Sequence, residues 1–147
     1  MNSDYNVAVH ALVFLQHKKE PLTSKELADN ICTNASRVRR VMAKLVGTGI
    51  ISTKEGSKDG GFALALEADK IDLAKIAQAL QVEFVQTRWE SGDPHKECVI
   101  ASGMGALLED IYSRMDQECY QYLKSITISD LEKKLSNHHR GTKGTKK

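Results

Sequence analysis

The sequence has few of the features that mark secreted, membrane-spanning or zinc-binding proteins. Its 147 residues include three cysteines, spaced 66 and 21 residues apart, which match neither a zinc knuckle nor a disulfide framework. The longest apolar run, residues 5–15, is interrupted by Asn6 and His10 and is shorter than the roughly 20 residues needed to cross a bilayer. Since no signal-peptide pattern is present either, we expect a cytoplasmic protein with no membrane partner.

The sequence also lacks the motifs of common catalytic and metal sites. Its five histidines form no paired ligand spacing, and neither a nucleophile-elbow motif nor a phosphate-binding loop occurs. A thiol nucleophile at Cys32 or Cys98 would have no base or orienting partner close in the sequence. These absences predict a protein that is not an enzyme and that has no metal or other cofactor.

Basic residues are concentrated in one part of the chain. The whole sequence is almost balanced, with 21 Lys or Arg and 19 Asp or Glu, but residues 32–58 contain six basic residues and one acidic residue. A local basic surface on a nearly neutral molecule indicates a polyanionic partner, and DNA is the first candidate.

Three helices followed by a hairpin are predicted within residues 1–66. The first helix spans residues 5–17, and the capping-box sequence at 23–26 begins the second. Thr33 or Asn34 caps a third helix that ends near Gly47 or Gly49. Residues 50–54 and 62–66 are typical of strands joined by a glycine-rich turn. This order predicts a winged helix-turn-helix domain.

The third predicted helix has one apolar face and one basic face. A solvated charged surface is the ordinary explanation of such a pattern, but the helix order and the following hairpin favour a helix that enters the major groove of DNA. The residues expected to contact bases or phosphates are Ser36, Arg37, Arg39, Arg40 and Lys44 on the helix and Lys54 and Lys58 on the hairpin.

The remaining sequence predicts a dimerisation unit. Residues 67–100 are expected to form a connecting helix, capped by Asp72, and a sensor loop. Residues 101–136 are expected to form a long helix, from about 102 to 126, and a short C-terminal helix, while 137–147 read as a basic disordered tail. The long helix would measure roughly 37 Å at 1.5 Å per residue, and its narrow apolar stripe suggests a partner helix in a homodimer. The stripe consists of Met104, Leu108, Ile111, Met115, Cys119, Tyr122 and Ile126. The predicted fold is therefore mainly α with a small β-hairpin.

Several segments resemble the Rrf2 (Rrf-two) family of bacterial winged-helix regulators. They are the "TN" helix start, the run "LVGTGII", the wing "EGSKDGGFALA" and the segment "KECVIASGMGALLEDIY". The resemblance implies a homodimer that binds a near-palindromic double-stranded DNA operator through two recognition helices. Glu55 stands where the family usually has an arginine before the first wing glycine, so Lys54 or Lys58 would have to supply that contact.

The cysteines indicate a thiol-based member of this family rather than an iron-sulfur one. Cluster-binding relatives carry three closely spaced cysteines before the long helix. This chain has only Cys98 there, and Met104 stands where another of these cysteines would be expected. Cys32 precedes the recognition helix, whose N-terminus and Arg37 would stabilise a thiolate; the alternative is a small residue buried in the corner between helices. Cys98 is then the natural second thiol, and Cys119 is expected to serve packing.

Together these features predict a dimeric DNA-binding transcriptional regulator that acts as a repressor. Oxidation or electrophile modification of Cys32, with or without Cys98, would switch operator binding. The alternative is the same regulator controlled by a partner protein or a small effector, with cysteines that do not sense. Trp89 could line a pocket for such an effector or cover the edge of the core.

Overall fold

The computed structural model describes residues 3–54, 60–85 and 89–145, with side chains up to residue 138. Six α-helices and one two-stranded antiparallel sheet are present in these residues, which confirms the mainly α fold with a small hairpin. In chain order the elements are α1 (Ser3–Lys18), α2 (Ser24–Ile31), α3 (Ala35–Gly47), β1 (Ile51–Thr53), β2 (Phe62–Leu64), a 3-10 turn (Ala68–Lys70), α4 (Leu73–Ala79), α5 (Val99–Leu123) and α6 (Ile128–Thr145).

Local capping interactions fix where the helices of the N-terminal unit begin. The amide of Glu26 donates to Thr23 Oγ1 and the amide of Thr23 donates to Glu26 Oε1, both at 3.1 Å, so the predicted capping box is confirmed. Asn34 Oδ1 accepts from the amide of Arg37 at 2.8 Å and begins α3. Asp72 caps α4 in the same way, as predicted. These caps satisfy amide groups that otherwise have no partner within the helix.

The core lies between α1, α2, α3, the hairpin, α4 and the start of α6. Every fully buried large side chain adds roughly 1.5–3 kcal/mol relative to an exposed one, so this core supplies most of the favourable free energy of folding. Its most deeply buried members include Leu12, Leu22, Leu27, Met42, Leu45, Ile50, Ile51, Ile71, Ile76 and Ile128.

The hairpin is attached to the connection between α1 and α2. β1 pairs with β2 in antiparallel register, with Ile51 opposite Leu64. Leu22 adds a further bridge, because its amide and carbonyl exchange hydrogen bonds with Phe62 at 3.0 and 2.8 Å. Each strand is shorter than predicted, although the amide of Ala65 still donates to the Ile50 carbonyl at 3.0 Å.

Hydrogen bonds and aromatic contacts join the end of α5 and the start of α6 to α1 and α4. The amide of Leu73 donates to the Ile126 carbonyl and the amide of Ile128 donates to the Ile71 carbonyl, each at 2.9 Å. The ring of Phe84 stands edge-on to Tyr5 of α1 and to Tyr120 of α5, with centroids 5.5 and 5.6 Å apart. Such edge-to-face pairs stabilise beyond the area they bury.

The C-terminal helices differ from the prediction in their bounds. α5 spans Val99–Leu123 rather than 102–126, so it begins inside the predicted sensor loop. The tail at 137–147 was predicted to be disordered, whereas α6 extends to Thr145. No proline interrupts this segment, and the first half of α6 packs on α1 through Leu131 and the contact between His17 and Glu132, so the helix continues from a supported start. Within the described ranges, no helix has the length and apolar character of a membrane span.

Candidate nucleic-acid interface

Helix α3 buries one face and exposes the other. Its inward residues, Val38, Val41, Met42 and Leu45, are all fully buried. Ser36, Arg39 and Lys44 lie on the outer face and are exposed. The Arg39 guanidinium donates to Ser36 Oγ at 3.3 Å, which leaves most of its donors directed to solvent. An outer face of this composition on a helix 13 residues long can enter a major groove and present donors to base edges or phosphates.

The hairpin contributes a further exposed basic residue. Lys54 follows β1 directly, is exposed, and its amide donates to the Gly61 carbonyl at 2.8 Å. The predicted contact residue Lys58 and the unusual Glu55 lie in residues 55–59, outside the described part of the chain.

Two of the predicted DNA-contacting arginines bind a carboxylate of α1. Asp4 Oδ1 accepts from Arg37 Nε at 2.9 Å and from Arg40 Nη2 at 3.1 Å, and Asp4 Oδ2 lies 3.2 Å from Arg40 Nη2. Arg37 Nη2 also donates to Ser3 Oγ. The Arg37 side chain is therefore turned towards α1 and is 29% exposed, whereas Arg40 remains 59% exposed.

The environment of Asp4 keeps its carboxylate ionised. Burial raises its pKa, but the hydrogen bonds and charges of Arg37 and Arg40 outweigh this and place the pKa below the ordinary value of 3.8. This contact was missed in the sequence because 33 and 36 residues separate the partners. The only local signal, an acidic residue in the first turn of a helix, is explained as well by the helix dipole.

Cys32 lies between α2 and α3, two residues before the cap of the recognition helix. It ends α2 in a left-handed conformation, with φ of 67°, while Asn34 caps α3. The Arg37 guanidinium, which was expected to support a thiolate at Cys32, donates to Asp4 and Ser3. The alternative of a buried corner cysteine is wrong, because Cys32 is exposed. Its nearest hydrogen-bond contact is a weak one from the sulfur to the Asp29 carbonyl, at 3.9 Å.

Cys98 stands at the N-terminus of α5. It is exposed, and although its sulfur makes no full capping hydrogen bond, the amides of Ala101 and Ile100 lower the pKa of its thiol below the ordinary value of 9.0. The loop before it is held on α5, since the Asp93 amide donates to the Ala101 carbonyl at 2.9 Å. A side chain at Gly92 would overlap the same carbonyl, so this approach requires glycine. Cys98 thus combines access with a stabilised thiolate.

The other two residues singled out in this region have contrasting exposure. Cys119 is half-buried on α5, in keeping with a packing role. Trp89 is 78% exposed, so it does not cover the edge of the core. It borders a cleft of about 770 Å³ with Tyr112 and Asp116. Asp116 is already used by the structure, because its carboxylate accepts from the amides of Phe84 and Val85.

The apolar stripe of α5 is largely open to solvent in a single chain. Ile111 and Met115 are each nearly half exposed, and Tyr122 is 68% exposed. Leu107, beside the stripe, is 56% exposed. A run of exposed apolar side chains along 25 helical residues marks a protein-binding surface.

Solved structures with the same fold are bacterial regulators. A candidate transcriptional regulator from Lactobacillus plantarum is 24% identical, covers 99% of this chain and 98% of its own, and has a TM-score of 0.80. IscR of T. potens is 19% identical, with 92% and 87% coverage and a TM-score of 0.66. CymR (YrzC), the global cysteine regulator of B. subtilis, is 17% identical, with 90% and 95% coverage and a TM-score of 0.65. No curated protein matches the chain.

The matching family, Rrf2, is described as iron-dependent transcriptional regulators, but the donor set of this chain does not fit an iron site. Cys98 is alone in its loop, Cys32 ends α2, and Cys119 lies roughly 31 Å further along α5 at 1.5 Å per residue. Among the described residues no group of three or more His, Cys, Asp or Glu is arranged to hold a metal ion. The match itself extends over residues 1–134. The chain belongs to the Rrf2 family of DNA-binding transcriptional regulators, which are not enzymes.

Proposed function

We propose that this regulator binds a near-palindromic operator as a homodimer and represses transcription. The observation that carries the proposal is α3, whose apolar face is fully buried while Ser36, Arg39 and Lys44 are exposed on the other face. Lys54 supplies a phosphate contact from the wing, and Arg40 keeps enough exposure to reach DNA. Arg37 serves chiefly to tie α3 to α1.

The exposed stripe of α5 supports the dimer. A twofold pair of these helices would cover Ile111, Met115 and Tyr122 of both chains and hold two recognition helices on one DNA face. Half-sites would then lie about 34–36 Å apart, or a multiple of that distance.

Binding would be tested with duplexes selected from a random pool by the wild-type protein. The selected duplex should have a near-palindromic sequence. Titration followed by fluorescence anisotropy should then show two chains bound per duplex. Selection of no sequence, or of a site bound by one chain, would contradict the proposal. Expression of a reporter fused to a genomic promoter that contains the selected sequence should rise when the gene for this regulator is deleted.

We also propose that thiol oxidation releases the operator, with Cys98 as the first thiol to react. Its thiolate takes an oxygen atom from a peroxide, giving a sulfenic acid and hydroxide. A second thiol then attacks that sulfur, a disulfide forms and water leaves. Cys32 is the best candidate for the second thiol because it is exposed and lies next to α3. Such a bond, within or between subunits, would fix the recognition helices at an angle that does not match two half-sites.

Single Cys→Ser variants test the switch. Peroxide should release the selected duplex from wild type and from Cys119→Ser, the matched control, but not from Cys98→Ser. Non-reducing electrophoresis separates the routes, since a cross-subunit bond gives a dimer band that disappears in both Cys98→Ser and Cys32→Ser. Release that survives in the Cys32, Cys98 double variant would refute the thiol switch.

A second candidate, control by a small effector, is favoured by a groove between α1 and α6. The groove has a volume of about 980 Å³, a size that suits small ligands. Its apolar lining includes Val9, Val13, Phe14, Leu123, Leu131 and Leu135. If the double cysteine variant is still released from DNA in cells, and Val13→Trp abolishes that release, an effector in this groove explains the control better than the thiols do.

A further inference from the structure

The Asp4 carboxylate occupies the space between α1 and the DNA-facing helix. Its two oxygens make three contacts of 2.9–3.2 Å with Arg37 and Arg40, and its side chain is only 17% exposed. Charge-assisted hydrogen bonds of this length are about twice as strong as neutral ones. One acidic side chain therefore holds two of the three arginines of the recognition helix.

The first turn of α1 is held too firmly for Asp4 to follow these arginines towards DNA. The adjacent Tyr5 is 7% exposed, and its hydroxyl donates to the Leu73 carbonyl at 2.9 Å. Burial raises the pKa of Tyr5 to about 12, so the hydroxyl remains a donor. Its ring also contacts Phe84 edge-on. An arginine that turns to a phosphate must leave Asp4 behind.

We propose that Asp4 is a specificity-determining residue, which weakens the attraction of the recognition helix for DNA of any sequence and orients Arg40 for the operator. The proposal rests on the DNA-binding role proposed for α3. Attraction to phosphates supplies nearly all non-specific affinity, whereas base contacts distinguish sequences. A carboxylate that neutralises Arg37 and partly neutralises Arg40 reduces this non-specific affinity. It also restricts the rotamers of Arg40, which reduces the entropy lost when that side chain meets a base edge.

The decisive variant is Asp4→Asn, which preserves the shape of the side chain and removes its charge. Binding to the selected duplex and to a scrambled duplex would be measured over a range of salt concentrations. Each arginine released to a phosphate steepens the slope of log K against log salt by about 0.9. We therefore expect the slope on scrambled DNA to steepen by about 1–2 and the ratio of operator to scrambled affinity to fall several-fold.

Two further variants control for charge and for folding. Asp4→Glu keeps the carboxylate and should restore much of the wild-type behaviour, while Asp69→Asn removes an exposed carboxylate from the 3-10 turn and should change neither slope nor ratio. Ser3→Asp is the converse test, because Ser3 already accepts from Arg37. A second carboxylate there should flatten the slope on scrambled DNA, and this result supports the proposal even if Asp4→Asn does not fold.

The outcomes separate this proposal from the DNA-binding role on which it rests. If Asp4→Asn lowers the melting temperature but leaves the slope and the affinity ratio at wild-type values, Asp4 only joins two helices and the proposal is wrong. An unchanged slope in Ser3→Asp would lead to the same conclusion. Arg39→Ala leaves Asp4 untouched. If this variant has no effect on the binding of either duplex, the DNA-binding role proposed for α3 is itself wrong.

Discussion

Replacement of Ile111 by glutamate should separate the proposed dimer into monomers. Ile111 lies near the middle of the α5 stripe and is 48% exposed in the single chain. Covering that exposed half is worth about 1 kcal/mol per subunit, and therefore about 2 kcal/mol in a symmetric pair. A glutamate at the same place must also lose water from its charge, at a cost of several kcal/mol per ion.

These contributions together weaken the dimer by roughly 5 kcal/mol or more, which raises its dissociation constant by over a thousandfold. Sedimentation velocity at a series of protein concentrations would show the change. We expect wild type to sediment as a dimer and Ile111→Glu as a folded monomer that has lost most of its affinity for a two-half-site duplex.

The control is Gln117→Glu, which adds the same charge at an exposed position off the stripe of the same helix. It should remain dimeric. An Ile111→Glu protein that still sediments as a dimer, with helix content equal to that of wild type, would place the interface elsewhere and refute the argument from the exposed stripe.

Two other predictions follow from the titrating groups. Alkylation of Cys98 by iodoacetamide should have a pH midpoint below the ordinary thiol value of 9.0, because the amides of Ala101 and Ile100 stabilise its thiolate; a midpoint at or above that value would contradict this. Arg37→Ala should lower the free energy of unfolding by about 1–2 kcal/mol at neutral pH through loss of a charge-assisted hydrogen bond. The pKa of Asp4 lies below 3.8 in the folded state, so its contribution to the free energy of unfolding is present above that pH and is lost on acidification. Between pH 7 and 2, the free energy of unfolding of Arg37→Ala should therefore fall by less than that of wild type.

The sequence was sufficient where structure depends on neighbouring residues. The capping box at Thr23 and Glu26 and the caps of α3 and α4 need partners only three residues away, so their patterns are readable directly. The faces of α3 follow in the same way from the helical repeat. Local patterns therefore predicted the order of elements in the winged domain.

Contacts between distant residues could not be predicted in this way. The sequence gives no register for Leu22 against Phe62, which pair across 40 positions. In the sequence Arg37 and Arg39 are both basic residues of the exposed helix face, and nothing local distinguishes them. The packing of α1 against α3 places Arg37 on Asp4 and leaves Arg39 facing solvent. Polarity alone suggested disorder after residue 136, but α6 continues from a segment supported by α1.

The most direct test of the account is the affinity of Arg39→Ala for the selected operator, with Lys75→Ala as the control. Arg39 is exposed on the outer face of α3, while Lys75 is an exposed lysine on α4, outside the proposed interface. At constant salt, Arg39→Ala should weaken operator binding by about 1–3 kcal/mol, with a smaller loss on scrambled DNA, because a base contact adds to any phosphate contact. Lys75→Ala should bind as wild type does. Equal operator affinities for wild type, Arg39→Ala and Lys75→Ala would contradict the claim that α3 reads DNA.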